Sequence, residues 1–150
     1  MNVAELDRVR RHSATSANQA IDDLFENTVF AYADASPREL SRRIDALERE
    51  WDVERLLETN ASSLAFTGVV LAAVHDKRWL LLSGGVLAFL FLHGVQGWCP
   101  PLPVLRRFGI RTRGEIDRER FALKFLRGDF DDVRTARGQL DPAKLLVAMS

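Results

Sequence analysis

The 150-residue chain has a single cysteine, five prolines, three histidines and no excess of either charge, with 21 basic side chains against 21 acidic ones. One thiol, Cys99, cannot form an intramolecular disulfide, which excludes a stapled secreted scaffold, and no repeated Cys/His spacing marks a structural zinc. His12, His75 and His93 are scattered. There is no His-x-x-x-His or Glu-x-x-His pair, no Gly-rich phosphate loop and no Gly-x-Ser-x-Gly elbow, so no catalytic set, cofactor or metal is expected. The first 19 residues, MNVAELDRVRRHSATSANQ, carry arginines without a following apolar run and do not read as a signal peptide. Net charge is zero overall, and an acidic first part with a basic last part favours contact between the two over a nucleic-acid footprint.

The most informative scarcity is local. Residues 59–105 hold only three charges, Asp76, Lys77 and Arg78, so the other 103 positions carry 39 charges, about 38% against roughly 25% in an ordinary soluble domain. Two unlike materials share one chain. From Trp79 to Leu105 there is no Asp, Glu, Lys or Arg, and Leu80 through Leu92 would be apolar on every face of a helix. Trp79 and Trp98 are 19 residues apart, roughly 28 Å along a helix, close to the hydrocarbon thickness of a bilayer, and indoles favour its two interfaces. The upstream run Thr59–His75 has 17 residues and sits at the lower limit for a span, about 25 Å, with Asn60, Ser62, Ser63 and Thr67 within it. A buried helical hairpin in a soluble core would need covering material that so charged a remainder cannot supply. The expectation is an all-α protein containing a two-span antiparallel transmembrane hairpin.

Three domains follow: a cytoplasmic helical hairpin over 1–58, the transmembrane hairpin over 59–112 with spans of about 59–75 and 79–98, and a cytoplasmic tail over 113–150. In the first, Ile21, Leu24, Phe25, Thr28 and Tyr32 recur at helical spacing within Ser16–Ala35, and Ser36-Pro37-Arg38-Glu39 is a capping-box start. The helix it opens is expected to reach about Glu58, with a stripe of Leu40, Ile44, Leu47 and Trp51 and i,i+4 pairs Glu39–Arg43 and Asp45–Arg49. In the tail, Thr112-Arg113-Gly114-Glu115 starts a helix to about Arg127, striped by Ile116, Leu123 and Leu126, with Phe121 and Phe125 beside it. Glu115–Arg118 and Asp117–Arg120 are spaced to pair at i,i+3. Residues 129–141 read as a polar loop and Pro142–Met149 as a last short helix. Residues 1–58 hold 13 acids against 8 bases and residues 98–150 hold 7 against 11, a balance of about −5 and +4 that favours contact between the two ends.

Orientation follows from the bases. Arg42, Arg43, Arg49 and Arg55 precede the first span, Arg106, Arg107, Arg111, Arg113 and Arg118 follow the second, and the connection has only Lys77 and Arg78. Both termini are expected in the cytoplasm. Trp79, Trp98, Arg106 and Arg107 are the candidate interface anchors. Gly68 with Ala72 and Gly84 with Ala88 lie four apart, a spacing that lets helices approach closely within the hairpin or across a homodimer. Gly94 and Gly97 follow near the second span's end. His93, Gln96 and Cys99 fall within one helical end and form the candidate functional cluster, since an ionisable group at membrane depth is a functional hypothesis.

Gly97-Trp98-Cys99-Pro100, followed by Leu105 and by Gly109-Ile110-Arg111-Thr112, resembles the YgaP-like transmembrane-domain family, small bacterial inner-membrane hairpins with a Gly-x-Cys-Pro turn and a downstream Gly-Ile-x-Thr. The resemblance covers roughly residues 60–112, and Pro103 stands where family members usually carry a tyrosine. It implies a two-span domain of no established activity. Relatives fused to rhodanese-type sulfurtransferase domains exist, but this chain has no room for one. Arg supplies 18 of the 21 bases, a composition expected of a GC-rich bacterial genome. The functional expectation is a non-enzymatic interaction or assembly module whose partners are the lipid bilayer, a second copy, or an unknown membrane or cytoplasmic protein. The alternatives are a thiol or redox accessory protein using Cys99 and His93, and a soluble helical interaction module.

Overall fold

A computed structural model describes residues 7–131. Among them the regular structure is helical throughout: α1 Arg8–Arg11, α2 Thr15–Ala31, α3 Pro37–Glu48, α4 Val53–Val74, a 3₁₀ turn Lys77–Trp79, α5 Leu80–Gln96, α6 Leu102–Arg107 and α7 Arg113–Arg127. The polar stretch expected after Asp131 and the short helix expected over Pro142–Met149 lie outside the described residues. Contacts divide the chain into two compact units, Met1–Asp22 with Trp51–Gly114 and Asp23–Glu50 with Glu115–Ser150. The expected divisions fell after residues 58 and 112.

In the second unit α3 begins as its sequence dictates. Ser36 Oγ accepts from the Glu39 amide at 3.4 Å and Glu39 Oε2 accepts from the Ser36 amide at 2.9 Å, closing the capping box. Leu40, Ile44 and Leu47 of α3 pack with Ile116 and Leu123 of α7 into one core, with Tyr32 and Ala35 against it. The contact between the two segments is apolar at its centre. Arg43 does not pair with Glu39 four residues back; its Nε and Nη2 donate to the buried Glu119 Oε1 at 2.8 and 2.7 Å. A guanidinium donating twice to one oxygen of a desolvated carboxylate outcompetes an exposed i,i+4 pair, which contributes only about 0.3–0.5 kcal/mol. Asp117 and Arg120 do pair, at 3.3 Å, and Arg118 lies 4.0 Å over the Phe25 ring.

The helix begun at Ser36 does not run to Glu58. It ends at Glu48, and Asp52 starts a new one by accepting the Arg55 amide at 2.7 Å. Trp51 consequently leaves the expected stripe; it is exposed, with the Arg55 guanidinium 4.4 Å from its ring. From Val53 the new helix α4 continues without interruption through the expected span boundary at Thr59 to Val74. Its polar residues do not break it because each bonds its own helix: Asn60 donates to Leu56 O at 2.9 Å, Ser63 to Thr59 O at 2.7 Å and Thr67 to Ser63 O at 2.8 Å.

Within the first unit α4 and α5 lie along one another, joined by His75, Asp76 and the 3₁₀ turn, where Asp76 Oδ1 accepts the Arg78 amide at 2.7 Å. The closest approach is at Gly68. A Cβ there would sit 2.4 Å from Ser83 Oγ and 3.0 Å from Trp79 O, and Ser83 Oγ donates to Ala65 O at 2.8 Å. Within the hairpin Gly84 and Ala88 do not meet α4: Gly84 has open space within 4 Å of a Cβ, and both Gly84 and Ala88 are exposed. The α5 seam instead follows Ser83, Val86, Leu90 and His93, because the rotation that seats Ser83 against Ala65 turns Gly84 outward by one residue, about 100°. Two helices, one ending at Val74 and one spanning Lys77–Gln96, are long and apolar enough to cross a membrane.

Pro100, Pro101 and Pro103, three prolines within four positions, do not hold the chain extended after α5. Pro100 and Pro101 form a turn, and Leu102–Arg107 is a short helix with Pro101 as N-cap and Pro103 in its first turn. Proline is tolerated there, since the first helical amides have no partner inside the helix. Gly109, at φ 76°, ends α6, and the Ile110 amide returns to Leu105 O at 3.1 Å.

Candidate functional site

The ends of α4 and α5 opposite their connection are held by elements distant in sequence. Asp7 caps α1, its Oδ1 accepting from the Val9 amide at 2.9 Å and the Arg10 amide at 3.3 Å. Thr112 Oγ1 donates to Asp7 Oδ2 at 2.7 Å, and the Val53 amide donates to Arg111 O at 2.9 Å. Arg8 Nη1 donates to Gly94 O at 2.6 Å, so a cation meets carbonyls of the last turn of α5. The residues that close this end apolarly are Val9, Val53, Leu57, Cys99 and Leu102, with Leu105 and Ile110 against them.

This junction explains Gly97. It caps α5 in the left-handed region at φ 80°, and a Cβ on it would lie 2.5 Å from Arg8 Cβ and 2.8 Å from the Arg8 carbonyl carbon. Both the backbone angle and the packing require glycine. Of the other turn-motif residues, Cys99 is buried and its carbonyl accepts the Leu102 amide at 3.1 Å, Pro100 is exposed, Ile110 is half-buried and Thr112 is buried.

A cavity of about 490 Å³ opens at the junction, lined by Asp7, Arg8, Glu54, Glu58, His93 and Thr112 among others. A second, more apolar cavity of about 260 Å³ is lined by Leu57, Leu64, Phe89, Leu90, His93 and Cys99 among others. Leu90 and His93 belong to both. Of the expected cluster His93 and Cys99 are therefore brought to one cavity wall, while Gln96 is exposed and lines neither. Cys99 is 3% exposed, and burial pushes its thiol above its ordinary range, which opposes thiolate chemistry. His93 Nδ1 and Glu54 Oε2 are closed off from solvent and have no hydrogen-bond partner. Burial raises the Glu54 carboxyl above its usual range, with Asp52 and Asp7 adding like charge and backbone amides opposing.

The candidate interface anchors divide. Trp79 and Trp98 are exposed and Arg107 is exposed, whereas Arg106 is buried, its Nη2 donating to Asn18 Oδ1 at 2.8 Å and its Nη1 to Ile110 O at 3.1 Å. Gly68 is buried and Ala72 half-buried on α4. Among the described residues no group of three His, Cys, Asp or Glu side chains could hold a metal ion. The residues that sequence spacing missed are Asp7, Arg8 and Glu54, because each looks like an ordinary capping or flanking charge until the chain folds. Compared with protein-family models, curated proteins and solved structures, the chain matches none.

Proposed function

We propose that this chain is a small, non-enzymatic protein of the bacterial inner membrane, in which α4 and α5 cross the bilayer as an antiparallel hairpin and the charged remainder serves in the cytoplasm as an interaction or assembly module. One observation carries the reading. The apolar side chains of the two helices point away from the protein: Leu81 is 80% exposed, Val74 75%, Phe91 70% and Phe66 69%. In water such a surface would be an aggregation hazard, whereas in hydrocarbon it is the expected exterior. The lengths agree, since the 20 residues of Lys77–Gln96 extend roughly 30 Å, while α4 carries an apolar run from Thr59 to Val74, about 24 Å, and leaves its charged first turns, Val53–Glu58, to the headgroups.

The arginines flanking both helices favour cytoplasmic termini, and Trp79 and Trp98, exposed near the two ends of α5, suit the interfaces. The resemblance of the Gly97–Pro100 turn to YgaP-like hairpins belongs to this same reading. Thiol chemistry gains no support from Cys99, and a soluble module with a buried hairpin finds no cover among the described residues, because 6% of the apolar stretch of α5 is buried. The exposed Gly84/Ala88 face is where a second copy would approach. A test joins threading to assembly: cytoplasmic and periplasmic reporters fused after Ser150 and inserted at Asp76, with the protein mass of the mild-detergent extract from native membranes measured by light scattering. Cytoplasmic signal at Ser150, periplasmic signal at Asp76 and a mass above one chain are expected. A periplasmic C-terminus overturns the threading, and a lone monomer overturns the assembly role.

A further inference from the structure

We propose that the cavity between α1 and the ends of α4 and α5 binds a primary ammonium group, either the headgroup amine of an ethanolamine phospholipid or a free alkylamine. The cavity wall carries an excess of acid. Asp7, Glu54 and Glu58 line it with a single guanidinium, Arg8, and that guanidinium donates to Gly94 O at 2.6 Å. Asp7 is occupied by two amides and by Thr112. Glu54 and Glu58 remain as the acidic side of the cavity.

Two atoms on this wall point to a guest. His93 is 9% exposed and its Nδ1 has no partner, and Glu54 Oε2 is likewise closed off without a donor. Both atoms are buried without a partner, and a buried acceptor left unmade is costly, so a donor brought to this wall is stabilised there. A neutral imidazole protonated on Nε2 presents Nδ1 as an acceptor. An ammonium group supplies both the positive charge that Glu54 and Glu58 lack and several N–H donors. Among the described residues no three His, Cys, Asp or Glu side chains are grouped to hold a metal ion, and a cavity of about 490 Å³ accommodates a headgroup. Glu58 immediately precedes the apolar run from Thr59, so in the membrane reading the cavity lies at headgroup depth. Only the lipid source rests on that reading; the ammonium chemistry does not.

The test uses the full chain, purified in detergent and labelled at histidine. It is titrated with n-butylammonium and with tetramethylammonium while the His93 ring signals are followed by NMR. Retention of ethanolamine against choline phospholipids with identical acyl chains is compared by native mass spectrometry. Saturable shifts with butylammonium or selective retention of the ethanolamine lipid are expected. The quaternary or choline counterpart should bind at least about tenfold more weakly, and Glu54→Gln should weaken binding about tenfold without loss of thermal stability, while Arg55→Gln changes nothing. Butylammonium binding without lipid selectivity assigns the site to a free amine. The proposal is overturned if neither source binds, if the quaternary cation binds equally well, or if Glu54→Gln and Glu58→Gln both bind like the parent. A chain released by carbonate that still binds butylammonium would sink the membrane reading alone, and a chain held in the membrane that binds neither source would sink the ammonium site alone.

Discussion

Gly97 is the residue on which the end of the helix pair depends, because its positive φ and the 2.5 Å approach of Arg8 Cβ leave no room for a side chain. Gly97→Ala is expected to destabilise by about 2–4 kcal/mol, combining left-handed strain with displacement of Arg8, whereas Gly85→Ala, with open space around a Cβ, should gain a few tenths to about 1 kcal/mol. Thermal unfolding in detergent measures both, and equal effects would show that the Arg8 contact does not form. Glu54 gives a pH signature. A carboxyl whose folded value lies above the ordinary 4.5 holds its proton better folded than unfolded, so the fold is most stable below that value and loses stability as pH rises from it through the raised folded value. The parent should therefore unfold more readily at neutral than at acidic pH relative to Glu54→Gln, and parallel pH profiles would refute the assignment. Gly97 was legible in the sequence as part of a turn motif, and His93 as an ionisable group in an apolar run. Asp7, Arg8 and Glu54 were not, because their importance arises from partners such as Gly94, 86 residues from Arg8, and Thr112, 105 residues from Asp7, and no local spacing encodes that.

At the scale of elements, the structure turns on where helices break and which faces they share. The apolar stretches, the capping box at Ser36 and the helix begun at Arg113 were visible because period and turn chemistry are local signals. The break at residues 49–52 was hidden: the apolar position of Trp51 extends the α3 stripe on paper, while the cap at Asp52 and the Arg55–Trp51 stack redirect the chain. Likewise, small residues four apart occur on both membrane-length helices, and only packing decides that Gly68, not Gly84, meets a neighbour. Gly68→Leu should cost about 1–3 kcal/mol by driving α4 from Ser83, and Gly84→Leu should leave the unfolding of a single chain unchanged. If the Gly84 face joins two copies, Gly84→Leu should also lower the oligomer mass in mild detergent. A larger stability loss at Gly84 than at Gly68 would contradict the packing described.

For the whole molecule, the uneven distribution of charge is the decisive property, and it was readable before any coordinates. Three charges in residues 59–105 leave two helices whose apolar surface the described chain does not cover, while the charged remainder builds ion pairs such as Arg43–Glu119 and Arg10–Asp22. What composition could not convey was the partition of the chain, since residues 7–22 join the apolar helices and residues 23–50 join α7, a division made by side chains far apart in sequence. The central claim, that α4 and α5 are embedded in a bilayer, is tested most directly by washing membranes from cells expressing the full chain with high salt and then alkaline carbonate. The chain should stay in the pellet through both washes and enter the supernatant only with detergent. Release by carbonate alone would contradict the account.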